Sequence, residues 1–222
     1  MSVVMLYSLS VMKKYMFLFT VVLSIAASGK EVFFVPGWRT GNSSRAGCVR
    51  IMRDIYPGYD ITVKSWNSRV ALTDAVKNAE SCAEQLKKEI TSMPEARRKQ
   101  LILVGHSLGS AVVLDVLDYL AHHKMKISGA ALLGTPVAAD DPRLARGIEA
   151  VEKMCYNVAF SGDTLLQFLY SFTSPGKPMG VGGSNFKHPR FVEHIERNEP
   201  DLTNHFAYKY LEVLDRVVDS VK

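Results

Sequence analysis

The chain has 222 residues, 47% hydrophobic and 22% charged, a balance that suits one compact globular domain and excludes intrinsic disorder. Its 27 lysines and arginines exceed its 22 acidic residues by a net +5, yet they are scattered instead of gathered into a stripe, which argues against a nucleic-acid partner. Three cysteines (Cys48, Cys82 and Cys155), with no CxxC pair and no His/Cys cluster, exclude a disulfide framework and argue against a metal site.

The N-terminus opens the chain order. "MKKYMFLFTVVLSIAAS", from Met12, has two lysines, an uncharged apolar run from Met16 to Ala27, and small residues at its end, with Ala26 and Ser28 before a cut. This is the layout of a secretory signal peptide over residues 1–28, with translation starting at Met12, followed by a single domain over 29–222. The apolar run is shorter than the roughly 20 residues a membrane span needs, and extending it back to Met1 places Lys13 and Lys14 inside it. An uncleaved anchor helix and a buried N-terminal helix are the other readings. The expectation is an exported protein, periplasmic or secreted, anchored to a membrane only if the segment stays uncleaved. Residues 1–28 hold two lysines and no acid, so the processed chain carries +3.

Beyond it, short apolar runs alternate with helical patterns. "EVFFVPG", "DITVKSW", "QLILVG", "GAALLG" and "MCYNVAF" read as strands, and Phe191 to Arg197 as a further one. Between Asp74 and Thr91 the residues Ala75, Val76, Ala79, Cys82, Ala83, Leu86 and Ile90 fall near helical spacing, and a last helix runs from about Phe206 to Val221. Alternation of this kind predicts an α/β fold, a mostly parallel central sheet with helices on both faces. Cys48 and Cys82 both fall in helical patterns and could pair in an exported protein. "TSPGKPMGVGGSN", Thr173 to Asn185, is one long Pro/Gly-rich loop suited to the rim of a binding site.

One joint carries chemistry. In "QLILVGHSLGSAVVLDVLDYL" the serine Ser107 stands between the strand Leu101 to Val104 and a helix from about Ser110 to His122, with Gly105 and Gly109 two residues away on either side. A serine on so sharp a turn has a strained backbone, and the glycines relieve the crowding around it. Its hydroxyl then projects above the carboxyl end of the sheet, beside the free N–H groups and positive end of the helix.

Gly105-His106-Ser107-Leu108-Gly109 resembles the nucleophile elbow of the α/β-hydrolase superfamily, which contains lipases and esterases. The resemblance covers the chain from about Glu31 onward and implies a serine nucleophile, a histidine base and a carboxylate, in that order along the sequence. Of the six histidines, His205, in "DLTNHFAYKYL" just ahead of the final helix, stands where the superfamily places its base; His194, within the last strand, is the competitor. For the acid, Asp163 ends the strand "CYNVAF" in the turn Ser161-Gly162-Asp163, while Asp140 and Asp141 follow the preceding strand and read equally as helix caps before Pro142. "LLGTP", Leu132 to Pro136, is similar to the lipase branch.

The resemblance also implies an oxyanion hole from the backbone N–H groups of Leu108 and Trp38, the latter in "PGWRTG". Pro36 stands where many relatives have histidine, and brings neither an N–H nor a ring proton to brace that loop. Trp38 and Leu165, with Leu108, Phe160, Phe168 and Leu169, are candidates to wall the acyl side, and each fits a core position as well. Pro136 to Cys155 is too short for a folded cap domain, as in the small lidless lipase/esterase branch. The expected activity is that of a serine carboxylic-ester hydrolase without metal or cofactor, acting on a small-molecule or lipid ester. An acyltransferase, thioesterase or amidase on the same triad, or a non-catalytic binding protein of the same fold, are the alternatives.

Overall fold

The computed structural model describes residues 29–171 and 176–221; the expected signal segment and residues 172–175 lie outside the described residues. Six strands form one sheet: β1 (Lys30–Val35), β2 (Tyr59–Val63), β3 (Leu101–His106), β4 (Gly129–Leu133), β5 (Cys155–Phe160) and β6 (Phe191–Glu196). They lie in the order β2-β1-β3-β4-β5-β6, and every neighbouring pair is parallel. The first helices are α1 (Asn42–Ile55), α2 (Leu72–Ser92), the single turn α3 (Glu95–Arg98) and α4 (Leu108–His122). They are followed by α5 (Pro142–Gly147), α6 (Thr164–Ser171), α7 (Met179–Gly182) and α8 (Ala207–Val221), with 3₁₀ turns at Ile148–Ala150 and Leu202–His205.

The burial pattern explains the layering. All six residues of β3, Leu-Ile-Leu-Val-Gly-His, are buried, as a central strand covered on both faces requires, whereas the edge strand β2 alternates half-buried with exposed residues. Successive strand residues point to opposite faces. Phe33, Val35, Leu101 and Leu103 therefore join a core with α2 and α4, and Val32, Phe34, Ile102 and Val104 join a second core with α1 and α8. The α2 stripe Ala75, Ala79, Cys82, Ala83, Leu86 and Ile90 is the buried face of that helix.

This layering corrects the possible Cys48–Cys82 pair. Cys48 belongs to the α1/α8 core and Cys82 to the α2/α4 core, so the sheet lies between them; all three cysteines are free thiols. Burial pushes the Cys48 and Cys82 thiols up to about 11 and the Cys155 thiol to about 12. The Pro/Gly-rich stretch also differs from the expected loop. Its described part contains α7, with Met179 and Val181 buried, and the backbone of Gly180 lies so close to Thr135 that an added Cβ would stand 2.2 Å from the Thr135 nitrogen. Part of that stretch thus fills space beside the turn after β4.

Candidate active site

Ser107 occupies the joint between β3 and α4 with φ 53° and ψ −127°, a conformation that L-residues rarely adopt. Its N–H donates to the Leu133 carbonyl at 2.8 Å, and its own carbonyl accepts from the Ser110 N–H at 2.8 Å. Both flanking glycines are needed for close approach: a Cβ on Gly105 would meet the Ser110 Cα at 2.5 Å, and one on Gly109 would stand 2.1 Å from the Val35 carbonyl oxygen. The second contact matters most, because it lets α4 sit directly against the end of β1.

The turn after β5 brings Asp163 to the same end of the sheet. Its carboxylate is fully buried, and Oδ1 accepts the Leu166 N–H at 2.8 Å, capping α6. Oδ2 lies 2.6 Å from His205 Nδ1, and His205 Nε2 lies 2.8 Å from Ser107 Oγ. Ser107, His205 and Asp163 thus form one hydrogen-bonded relay drawn from three connections. With Nδ1–H donated to the carboxylate, His205 leaves Nε2 as an acceptor for the serine proton.

The other candidates are engaged elsewhere. The Asp141 carboxylate caps α5 through the Arg143 N–H at 2.9 Å and pairs with the Arg143 guanidinium at 2.7 Å. Burial pushes that carboxyl up, and the Arg143 contacts outweigh it and hold it below the usual range. Asp140 is exposed. His194 sits on β6 with Nε2 2.8 Å from a Glu196 carboxylate oxygen.

Leu108 opens α4, whose first N–H groups have no partner within the helix. The loop carrying Trp38 is tied down on several sides: the Trp38 indole N–H donates to the Val70 carbonyl at 2.9 Å, Thr40 Oγ1 donates to the Gly37 carbonyl at 3.0 Å, and the Arg39 guanidinium lies over the Trp38 ring. Gly37 lies against the nucleophile, since a Cβ there would be 2.7 Å from the Ser107 Cβ. The missing brace at Pro36 comes from Trp66, whose indole N–H donates to the Pro36 carbonyl at 2.9 Å; no sequence signal singled that residue out. Phe160 is corrected from the acyl wall to the core, where its ring packs 4.3 Å from that of Tyr210. Leu165 and Leu169 are half-buried on α6, and Phe168 is 58% exposed. With Leu202 and Phe206, on either side of His205 and also exposed, they give the elements bearing the acid and base an apolar surface.

Two further residues adjoin the relay. His106 is buried with its ring 5.1 Å from the His205 ring. Burial, reinforced by His205, holds its imidazole well below the usual histidine range and therefore neutral. Tyr210, on α8, is completely buried, and its hydroxyl donates to Asp163 Oδ2 at 2.6 Å. In the sequence Tyr210 is indistinguishable from the apolar face of the last helix. Among the described residues no group of three potential metal ligands occurs.

The model of a family described as a protein of unknown function, DUF726, matches residues 65–220. The chain belongs to the DUF726 family. No curated protein matches this DUF726 chain significantly. Solved structures resemble it in fold: esterase PE8, at 14% identity and TM-score 0.54, covering 88% of this chain and 94% of that one, and esterase Pf2001 of Pyrococcus furiosus, at 11% identity and TM-score 0.50, covering 87% and 81%. The type II thioesterase BorB of the borrelidin biosynthetic cluster aligns at 10% identity and TM-score 0.49 over 87% and 91%. The all-parallel six-stranded sheet of this DUF726 protein, with helices on both faces, has the α/β-hydrolase fold.

Proposed function

We propose that the protein is a serine hydrolase of carboxylic esters, exported by its N-terminal segment. The supporting observation is the continuous relay from Ser107 Oγ through the His205 ring to Asp163 Oδ2, at 2.8 and 2.6 Å. In this reading Ser107 Oγ attacks the ester carbonyl while its proton passes to His205 Nε2, and Asp163 holds the ring in the needed tautomer. The resulting oxyanion is met by the N–H groups of Leu108 and Trp38. His205 then gives its proton to the departing alcohol, leaving an acyl-serine. A water, deprotonated by the same Nε2, releases the carboxylic acid and restores the serine.

The accessible apolar side chains Leu165, Phe168, Leu202 and Phe206, on the elements that bear the acid and base, favour a hydrophobic acyl group over a charged one. The test is reaction of the purified protein with a fluorophosphonate probe and with p-nitrophenyl esters of graded chain length. Ser107→Ala should abolish labelling and lower turnover by about 10⁴-fold or more. A variant keeping a tenth of the activity would overturn the reading.

A further inference from the structure

Asp163 is a buried carboxylate with a demanding position. Taking such a group out of water is tolerated only when its oxygens are supplied with donors, and His205 alone supplies one. The remaining donors are the Leu166 N–H at Oδ1 and the Tyr210 hydroxyl at Oδ2, the same oxygen that faces His205 Nδ1. We infer that Tyr210 is a positioning residue for the triad acid, its hydroxyl fixing Asp163 Oδ2 against His205 Nδ1 and taking part of the charge that this oxygen would otherwise direct to His205 alone.

The inference deepens the hydrolase reading and rests on it. It stands on how firmly the ring is held. Tyr210 packs 4.3 Å from the Phe160 ring and 5.5 Å from the His106 ring. On another side Gly134 makes the room: an added Cβ there would stand 2.8 Å from the Tyr210 oxygen. These contacts place the hydroxyl independently of the bond it makes, so the carboxylate adjusts to the tyrosine. Burial and the Asp163 charge together hold the phenol well above its usual range, which keeps it a donor at every pH at which the protein works. Among the described residues, the other titratable groups nearby include His205, His106 and Asp201, whose segment pairs with that of Asp163 and whose carboxylate accepts from Thr203; the ammonium of Lys209, on the same helix as Tyr210, is bonded to Thr203 Oγ1 and Asn204 Oδ1.

Tyr210→Phe removes the donor and keeps the ring. With one donor fewer, Asp163 holds the protonated His205 ring more strongly, so the base is freed at higher pH. The fluorophosphonate labelling rate, followed against pH, should have its acidic midpoint raised by about half a unit or more, and its plateau lowered about tenfold. On an ester substrate the loss should appear in kcat with KM little changed. Replacing Tyr210 by 3-fluorotyrosine, whose hydroxyl is a stronger donor of nearly the same shape, should move the midpoint the other way. An unmoved midpoint in both variants overturns the inference, even if thermal stability falls, because a merely structural tyrosine affects folding and leaves the titration in place. A wild-type protein that does not label at all overturns the hydrolase reading first, and the inference with it.

Discussion

Replacing Asp163 by asparagine tests the relay most sharply, because the three bonds to that side chain give the expected loss a direct account. The carboxylate accepts from Leu166, His205 and Tyr210 and donates to none. An amide of the same shape keeps one acceptor oxygen and presents an NH₂ group in place of the other. With the oxygen toward Leu166, the NH₂ faces His205 Nδ1, which must then accept. The imidazole proton moves to Nε2 and points at Ser107, which no longer has a base. With the oxygen toward His205, the NH₂ opposes the Leu166 N–H at the start of α6 and the helix loses its cap, about 1 kcal/mol. The second arrangement sets two donors against each other in a buried site, so the first prevails, and turnover should fall by about 10³- to 10⁴-fold, equivalent to about 4 to 5.5 kcal/mol of transition-state stabilisation at 1.36 kcal/mol per decade. Single-turnover labelling of Ser107 at pH 8, with Asp141→Asn in parallel, measures this. Asp141→Asn should stay within a few-fold of wild type, since its partner is Arg143. If the Asp163 variant kept more than a tenth of the wild-type rate, or if Asp141→Asn proved the more damaging change, the acid would have to be sought elsewhere.

His106 gives a pH dependence of stability. An unfolded histidine binds its proton near pH 6.5 and the buried ring only well below that, so the unfolded state carries the extra proton and stability declines as pH falls through that window, by up to about 1.4 kcal/mol per unit. Urea midpoints at pH 7.5 and 5.5 should therefore converge in His106→Phe; an equal drop in both proteins contradicts the assignment. Gly109→Ala forces a Cβ to 2.1 Å from the Val35 carbonyl oxygen, and should destabilise by about 3 kcal/mol or more and remove labelling together; a variant with the wild-type melting temperature refutes it. The three cysteines, buried and poorly ionised, should react with a thiol reagent only on unfolding, all three appearing free by mass; rapid reaction of native protein runs against this.

What could be read from the sequence was whatever depends on local pattern. β3 and α4 follow from a continuous apolar run, a Gly-X-Ser-X-Gly joint and a second apolar run, and the resemblance to the α/β-hydrolase superfamily pointed to His205 over His194 and to Asp163 with Asp140 and Asp141 left open. The losses came where the answer depended on which side of the sheet a residue faces. Periodicity put Cys48 and Cys82 on helices, and only the assembled layers separate them. Phe160 could equally wall the site or fill the core until α8 settled beneath it. Tyr210 and Trp66 are polar contacts made by aromatic side chains from remote segments, which no spacing rule reports.

The left-handed backbone of Ser107 has a consequence for anyone improving this protein. Holding an L-residue there costs about 1 to 3 kcal/mol, and glycine adopts the same angles with little penalty. Ser107→Gly should therefore be inactive and yet melt later than wild type. A search that ranks variants by heat tolerance alone will drift toward proteins that have lost their nucleophile, so selection for robustness has to be coupled to a measure of labelling.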